Sequence, residues 1–178
     1  VVLGSAQDGG LPQLGASHHQ DLHAIENPSY QRYGASIAVV SENGHCLLLD
    51  ASPDLRFQHF QILLKLPAYA DARRRDPSLQ PFQGIILTHA HMGHYLGLAH
   101  LGKESANTNA IPTYVTPSMA DFLSNNAPWQ QLVQLNNISL QKILPKEYSE
   151  AESITLWEDL SVKIFTVPHR AEYTDTIG

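Results

Sequence analysis

Three histidines, His89, His91 and His94, fall within six residues of the stretch THAHMGH at 88–94, directly after the apolar run GIIL. A neutral imidazole offers a lone pair to a transition metal. In an extended loop, residues two apart point the same way, so His89 and His91 can reach one ion together. Three protein ligands leave one position open, and an ion so held can bring the pKa of a water there down to about neutrality. That chemistry supplies a nucleophile without Ser or Cys. His169 follows a second apolar run, KIFTV, and also stands at an expected strand end, which makes it the candidate for a site short of one ligand. Asp50 closes the apolar run LLLD, where it can cap a loop or hold a metal loop through hydrogen bonds; both readings stand. The plain alternative, surface histidines with no ligand role, is weakened by their clustering at a strand end, where binding loops sit.

The bulk of the chain is compatible with such a site. Its 178 residues, 43% of them hydrophobic, suffice for one domain with a real core. A formal charge of −6 argues against a protein that binds nucleic acid by neutralising phosphates. The run Arg73-Arg74-Arg75, flanked by Asp71 and Asp76, reads as a solvated helix end. With one cysteine, Cys46, there is no intramolecular disulfide and no paired-cysteine zinc site; Cys46 reads as a buried structural thiol. Ten histidines point instead to imidazole and carboxylate ligation. No stretch is long and apolar enough to span a membrane. The chain opens on Val1 without a methionine, so a preceding piece is expected, and cytoplasm and periplasm both stay open.

The elements that would position these residues follow from patterning. VVLG reads as a strand breaking into a Gly-rich loop, and residues 11–34, without periodicity, as a long surface loop. Residues 35–40 and 45–50 read as a hairpin with Asn43-Gly44 at its tip. Apolar residues at helical spacing after Ser52 and Asp54, two candidate caps, predict a helix. QGIILT (83–88) predicts a short buried strand, followed by a helix through HYLGLAHL that ends at Gly102. IPTYVT (111–116) predicts a strand, and PSMADFLSNN a helix opened by Pro117-Ser118. NNISLQKIL and DLSVKIFTVPH are further strands. The order implies a mixed α/β layer fold with both sheet faces partly covered.

Two other motifs fail. GLAHLGKE (97–104) has P-loop spacing, but Glu104 stands where a Mg²⁺-binding hydroxyl is required, and the segment extends a helix. The triplet NIS at 137–139 is a chance-level glycosylation signal.

THAHMGH resembles the His-x-His-x-Asp-His signature of the metallo-β-lactamase-fold hydrolases, with LLLD as their strand and aspartate. LGSAQDGGLPQ, LLLDASPDLR, IPTYVTPSMADFL, PWQQLVQLNNI and VPHRAEYTDTIG are similar to the pyrroloquinoline quinone biosynthesis protein B-like branch of that superfamily. The resemblance implies an αββα sandwich, with residues 1–178 as the N-terminal major part of one domain and its C-terminal strands and helices absent. It implies His89, His91 and His169 as the imidazoles of a first metal site, His94 in a second, and Asp50 as the supporting aspartate. It also implies one zinc or iron ion, a second metal being weak or absent because Gly93 replaces the usual aspartate. A general base must then come from elsewhere. His18, His19 and His23 stand where many relatives carry a Cys-rich loop, and read as surface residues or a substitute site.

The leading expectation is a metal-dependent hydrolase-like enzyme that activates water against an ester, amide or lactone-like bond of a small molecule. The alternatives are an iron-dependent oxygenase or oxidase in quinone cofactor biosynthesis, and a degenerate member that binds a metal, a ligand or a partner without catalysis. A half-sandwich would expose an apolar sheet face and an unpaired edge, to be covered by a second copy or by a complementing C-terminal chain.

Overall fold

The computed structural model describes residues 1–157, 159–170 and 173–178. A six-stranded sheet runs in chain order: β1 (Val2–Gly4), β2 (Ser36–Val40), β3 (Cys46–Leu49), β4 (Gly84–Ile86), β5 (Ile111–Val115) and β6 (Ile138–Lys142). The first three strands pair antiparallel, and β3 through β6 pair parallel. The parallel pairs need crossovers, which α2 (Leu55–Lys65), α3 (Pro67–Arg75), α5 (Pro117–Asn125) and α6 (Trp129–Gln134) help to supply. A second, two-stranded sheet consists of β7 (Ser153–Trp157) and β8 (Leu160–Lys163), paired antiparallel.

Strand alternation sends the side chains into two cores. From β3 and β4, Cys46, Leu48 and Ile85 join a large core with Leu55, Ile62, Tyr69, Met119 and Leu123 of the helices. Leu47 and Ile86 face the other way and pack with Ile154, Trp157, Leu160 and Val162 of the small sheet. The layers described are therefore helices, sheet and small sheet, a mixed α/β arrangement; among the described residues no helical layer covers the far side of the small sheet, where the αββα expectation places one. Towards β1 the small-sheet side is bare. Val2, Ile37 and Val39 are exposed there.

Local chemistry explains most element ends. Gly44, at φ +82°, lets the β2–β3 hairpin close. Thr116 caps α5 by accepting the Met119 N–H, and Pro117 opens the helix. The three arginines form the last turn of α3, as expected, but Arg73 is not merely solvated: its guanidinium donates to the carbonyls of Leu79 and Gln80.

Several expectations need correction. Residues 11–34 are not one loop, because α1 (His19–Glu26) and a 3₁₀ turn (Pro28–Tyr30) lie within them. Asp54 occupies the N-cap position of α2, but its carboxylate turns away to accept the Gly34 N–H; Ser52 donates to Gln58 instead of capping. HYLGLAHL is not one α-helix. A single α-turn, α4 (Met92–Tyr95), passes into a 3₁₀ stretch (Leu96–Leu101) that does end at Gly102. The reason is competition for backbone groups. Ala51 donates its N–H to the His94 carbonyl and accepts the N–H of Gly97, binding this segment to the end of β3. Lastly, the strand through KIFTV stops at Lys163. Residues 165–167 instead make backbone hydrogen bonds to 176–178.

Candidate metal centre

The first two histidines leave β4 along the edge of the sheet. Leu87 N–H still donates to the Tyr114 carbonyl, after which the chain turns outward and His91 precedes α4. His169 comes from a loop stitched to this one. Ile177 N–H donates to the Thr88 carbonyl, and Ala90 N–H donates to the Thr174 hydroxyl. Residues 78 positions apart thus meet: His91 Nδ1 lies 2.9 Å from His89 Nε2 and 3.4 Å from His169 Nε2. The three ligand nitrogens all lie within 4.8 Å of one another. His89 is buried, His91 half-buried and His169 exposed, on the wall of a cavity of about 970 Å³.

Hydrogen bonding fixes which nitrogens carry lone pairs. Asp50, at the end of β3 with φ 61°, is 7% exposed and accepts from three donors. These are the Thr88 N–H at 2.8 Å, the Thr88 hydroxyl at 2.9 Å, and His94 Nδ1–H at 2.8 Å. The Thr88 hydroxyl has one proton, which the carboxylate takes, so Oγ1 is left to accept from His89 Nδ1–H at 2.8 Å. His89 must then present an unprotonated Nε2 to the cluster. Asp50 therefore sets the tautomer of His89 through Thr88 and that of His94 directly, the carboxylate–histidine relay typical behind metal ligands.

Electrostatics agree with this assignment. Burial, and then the neighbouring His94, push the pKa of His89 down to about 4, so its ring is neutral near neutral pH. Burial works against charging His94, but the Asp50 hydrogen bond and charge, joined by Asp8, outweigh it and hold His94 above its ordinary value.

These residues fit a metal ion. Tetrahedral ligands about 2.0–2.1 Å from zinc stand about 3.3 Å apart; His91 and His169, at 3.4 Å, have that spacing, while His89 and His91, at 2.9 Å, stand at hydrogen-bond distance and need only a small separation to share an ion. Three unprotonated nitrogens facing one point repel each other unless protons or a cation lie among them. An all-imidazole set suits zinc or iron.

The other expected residues are placed as follows. His94 lies beside the cluster, its ring 4.1 Å from that of His89, but is not one of the three convergent groups. His19 and His23 stack one helical turn apart on α1, with His23 also against Tyr30, and do not converge with His18. His18 lines the cavity. Cys46 is fully buried and its thiol is pushed up to about 12 by burial, in keeping with a structural role. Asp8 also lines the cavity, and sequence reasoning missed it. No helix among the described residues is long and apolar enough to cross a membrane.

Comparison with known proteins gives a consistent pattern. Residues 45–178 match the model of the beta-lactamase superfamily domain. The chain is 34% identical over 105 residues to coenzyme PQQ synthesis protein B of Rhodopseudomonas palustris, covering 59% of this chain and 32% of that protein. It is 29% identical over 170 residues to the same protein of Methylobacterium sp. (strain 4-46), covering 94% and 52% respectively. The chain thus spans about half the length of these curated relatives or less. Among solved structures, Zn(2+)-bound PqqB from Methylobacterium extorquens superposes with a TM-score of 0.77 at 28% identity, over 100% of this chain and 56% of that one. A diphosphatase from the PhnP family, at TM-score 0.64 and 20% identity over 59% of its length, shares the fold.

Proposed function

The chain belongs to the beta-lactamase superfamily domain family, and from that premise we propose that it is a metal-dependent hydrolase-like protein whose site is His89, His91 and His169. The observation that carries this reading is the convergence of His89 Nε2, His91 Nδ1 and His169 Nε2, with the tautomer of His89 held through Thr88 by Asp50. A divalent cation bound there, zinc or iron, would supply Lewis acidity, making a water nucleophilic near neutral pH and polarising an acceptor oxygen. The protein residues do the rest. His89 and His91 approach from one loop and His169 from the other, which leaves the cavity side open to a substrate. At about 970 Å³ the cavity has the size of a small-molecule site, and a polymer is not required to fill it. An ester, amide or lactone-like bond is the expected target. Zinc bound to the structurally similar PqqB supports the choice of metal.

The test is hydrolysis of a panel of small esters, amides and lactones by the zinc- or iron-loaded chain. His89→Ala and His169→Ala should each abolish turnover, and full activity in either variant would overturn the site.

A second reading is favoured by the relatives named coenzyme PQQ synthesis protein B. Three imidazoles with open positions can hold Fe(II) for oxygen chemistry on a phenolic precursor. Oxygen uptake that requires both iron and a phenol would select it; hydrolysis with zinc and no oxygen uptake would reject it.

A further inference from the structure

Gly93 stands where the resembling signature has an aspartate, and another residue occupies the space. A Cβ placed on Gly93 would lie 2.4 Å from Asp8 Cγ, 2.5 Å from Asp8 Cβ and 2.6 Å from Asp8 Cα, closer than real Cβ atoms come. Asp8 belongs to the loop after β1, in a turn that Gly10 N–H closes on the Gln7 carbonyl. The loop is pinned by Ala6 N–H to the Tyr33 carbonyl and by paired hydrogen bonds between Leu11 and Arg32. Residue 93 is therefore a glycine for steric reasons: only a residue without Cβ lets this loop lie against the histidine motif.

The carboxylate delivered this way points at the site. Asp8 Oδ2 accepts the Gly93 N–H at 3.3 Å, and Oδ1 lies 3.4 Å from His94 Nε2. The opposite nitrogen of His94 donates to Asp50, so in the neutral ring the Nε2 lone pair faces the Asp8 carboxylate. Lone pair and carboxylate repel unless a cation or proton sits between them. A charge-assisted N–H···O bond runs about 2.7–2.9 Å, whereas two ligands of one zinc ion stand about 3.3 Å apart. At 3.4 Å the pair has the spacing of co-ligands.

We propose that Asp8 and His94 form a second cation position beside the three-histidine site, with Asp8 supplying from a distant loop the carboxylate that position 93 lacks. This rests on the reading that His89, His91 and His169 hold the first ion. The His89 ring lies between the two positions, 4.1 Å from the ring of His94 and 4.8 Å from that of His169. With two protein ligands against three, the second position is the weaker. Asp50 serves both, as acceptor for His94 and, through Thr88, for His89.

The experiment is calorimetric titration of the metal-free 178-residue chain with Zn²⁺, comparing wild type with Asp8→Asn, Asp8→Ala and His91→Ala. Wild type should show a tight event followed by a weaker one. Asp8→Asn keeps the shape of the side chain and should weaken the second event at least about tenfold, leaving the first unchanged; Asp8→Ala should abolish it. His91→Ala should lose the tight event. Melting in EDTA checks that each variant is folded, and Asp8→Glu, which keeps the charge, should retain two events. Equal binding by wild type and both Asp8 variants would overturn the inference, reducing Asp8 to an ion-pair partner of His94 while the three-histidine site stands. No zinc uptake by wild type would overturn both.

Discussion

Replacing Asp50 with alanine tests how the site is built. The carboxylate is 7% exposed and takes three donors: the Thr88 peptide N–H, the Thr88 hydroxyl and His94 Nδ1–H. A hydrogen bond to a charged group contributes about 1.5–3 kcal/mol, and a buried donor left without a partner costs about 1–3 kcal/mol. The hydroxyl can turn elsewhere, and water can reach the half-buried His94, so the three losses do not add in full. Alanine also tolerates φ 61° less well than aspartate. A total near 3 kcal/mol follows, a large share of a typical stability of about 5–15 kcal/mol. Asp50→Asn should cost roughly half as much. Its amide oxygen can still accept the Thr88 N–H, but its NH₂ faces His94 Nδ1 and forces the other tautomer. The assay is urea unfolding of wild type and both variants at neutral pH in EDTA, which removes metal from the comparison. A loss below about 1 kcal/mol in the alanine variant, or equal losses in the two variants, would refute the argument.

Two further outcomes follow from other residues. Gly93→Ala should lower stability by about 1–3 kcal/mol, because the new Cβ meets the Asp8 backbone as well as its side chain; a melting temperature equal to that of wild type would show that the loop yields freely. His59, half-buried with its Nε2 2.9 Å from the Tyr69 hydroxyl, has its pKa pushed down to about 4 by burial and then by Arg73. Its folded value lies below its unfolded one, so its contribution is fully present above about pH 6.5 and is lost as pH falls towards 4. At about 1.36 kcal/mol per unit the shift amounts to roughly 3 kcal/mol, reduced by solvent screening of a half-buried ring to about 1–2 kcal/mol. His59→Gln should therefore unfold with a shallower acid dependence between pH 6.5 and 4, and an unchanged slope would contradict the assignment.

Much of this was legible in the sequence, for physical reasons that also explain the failures. The strands bearing LLLD and GIIL announce themselves because each faces two cores and reads as a continuous apolar run. The histidine spacing at 88–94 pointed to the candidate loop, and the apolar run before His169 marked it as a partner through an expected strand end, although that strand stops at Lys163. The helix α1 was hidden because its pattern is inverted: Asp21 is buried, accepting the Gln13 N–H, while Leu22 and Ile25 are exposed. Strand β7 was missed although SITL alternates polar and apolar residues, with Ser153 and Thr155 exposed and Ile154 and Leu156 half-buried; the alternation is too short to stand out. Asp8 was missed because its partner lies 85 residues away. The available signal was a pairing of absences and presences: a glycine where the signature needs a carboxylate, and an acidic residue in a Gly-rich loop.

The most direct measurement is zinc content after dialysis of the 178-residue chain and its His89→Ala, His91→Ala and His169→Ala variants against metal-free buffer, following loading with a stoichiometric excess. The expected result is at least one retained zinc ion per wild-type chain, with the tightly held ion lost in each variant. Wild-type protein that retains none, or variants that retain as much as wild type, would contradict a metal centre built on these three histidines.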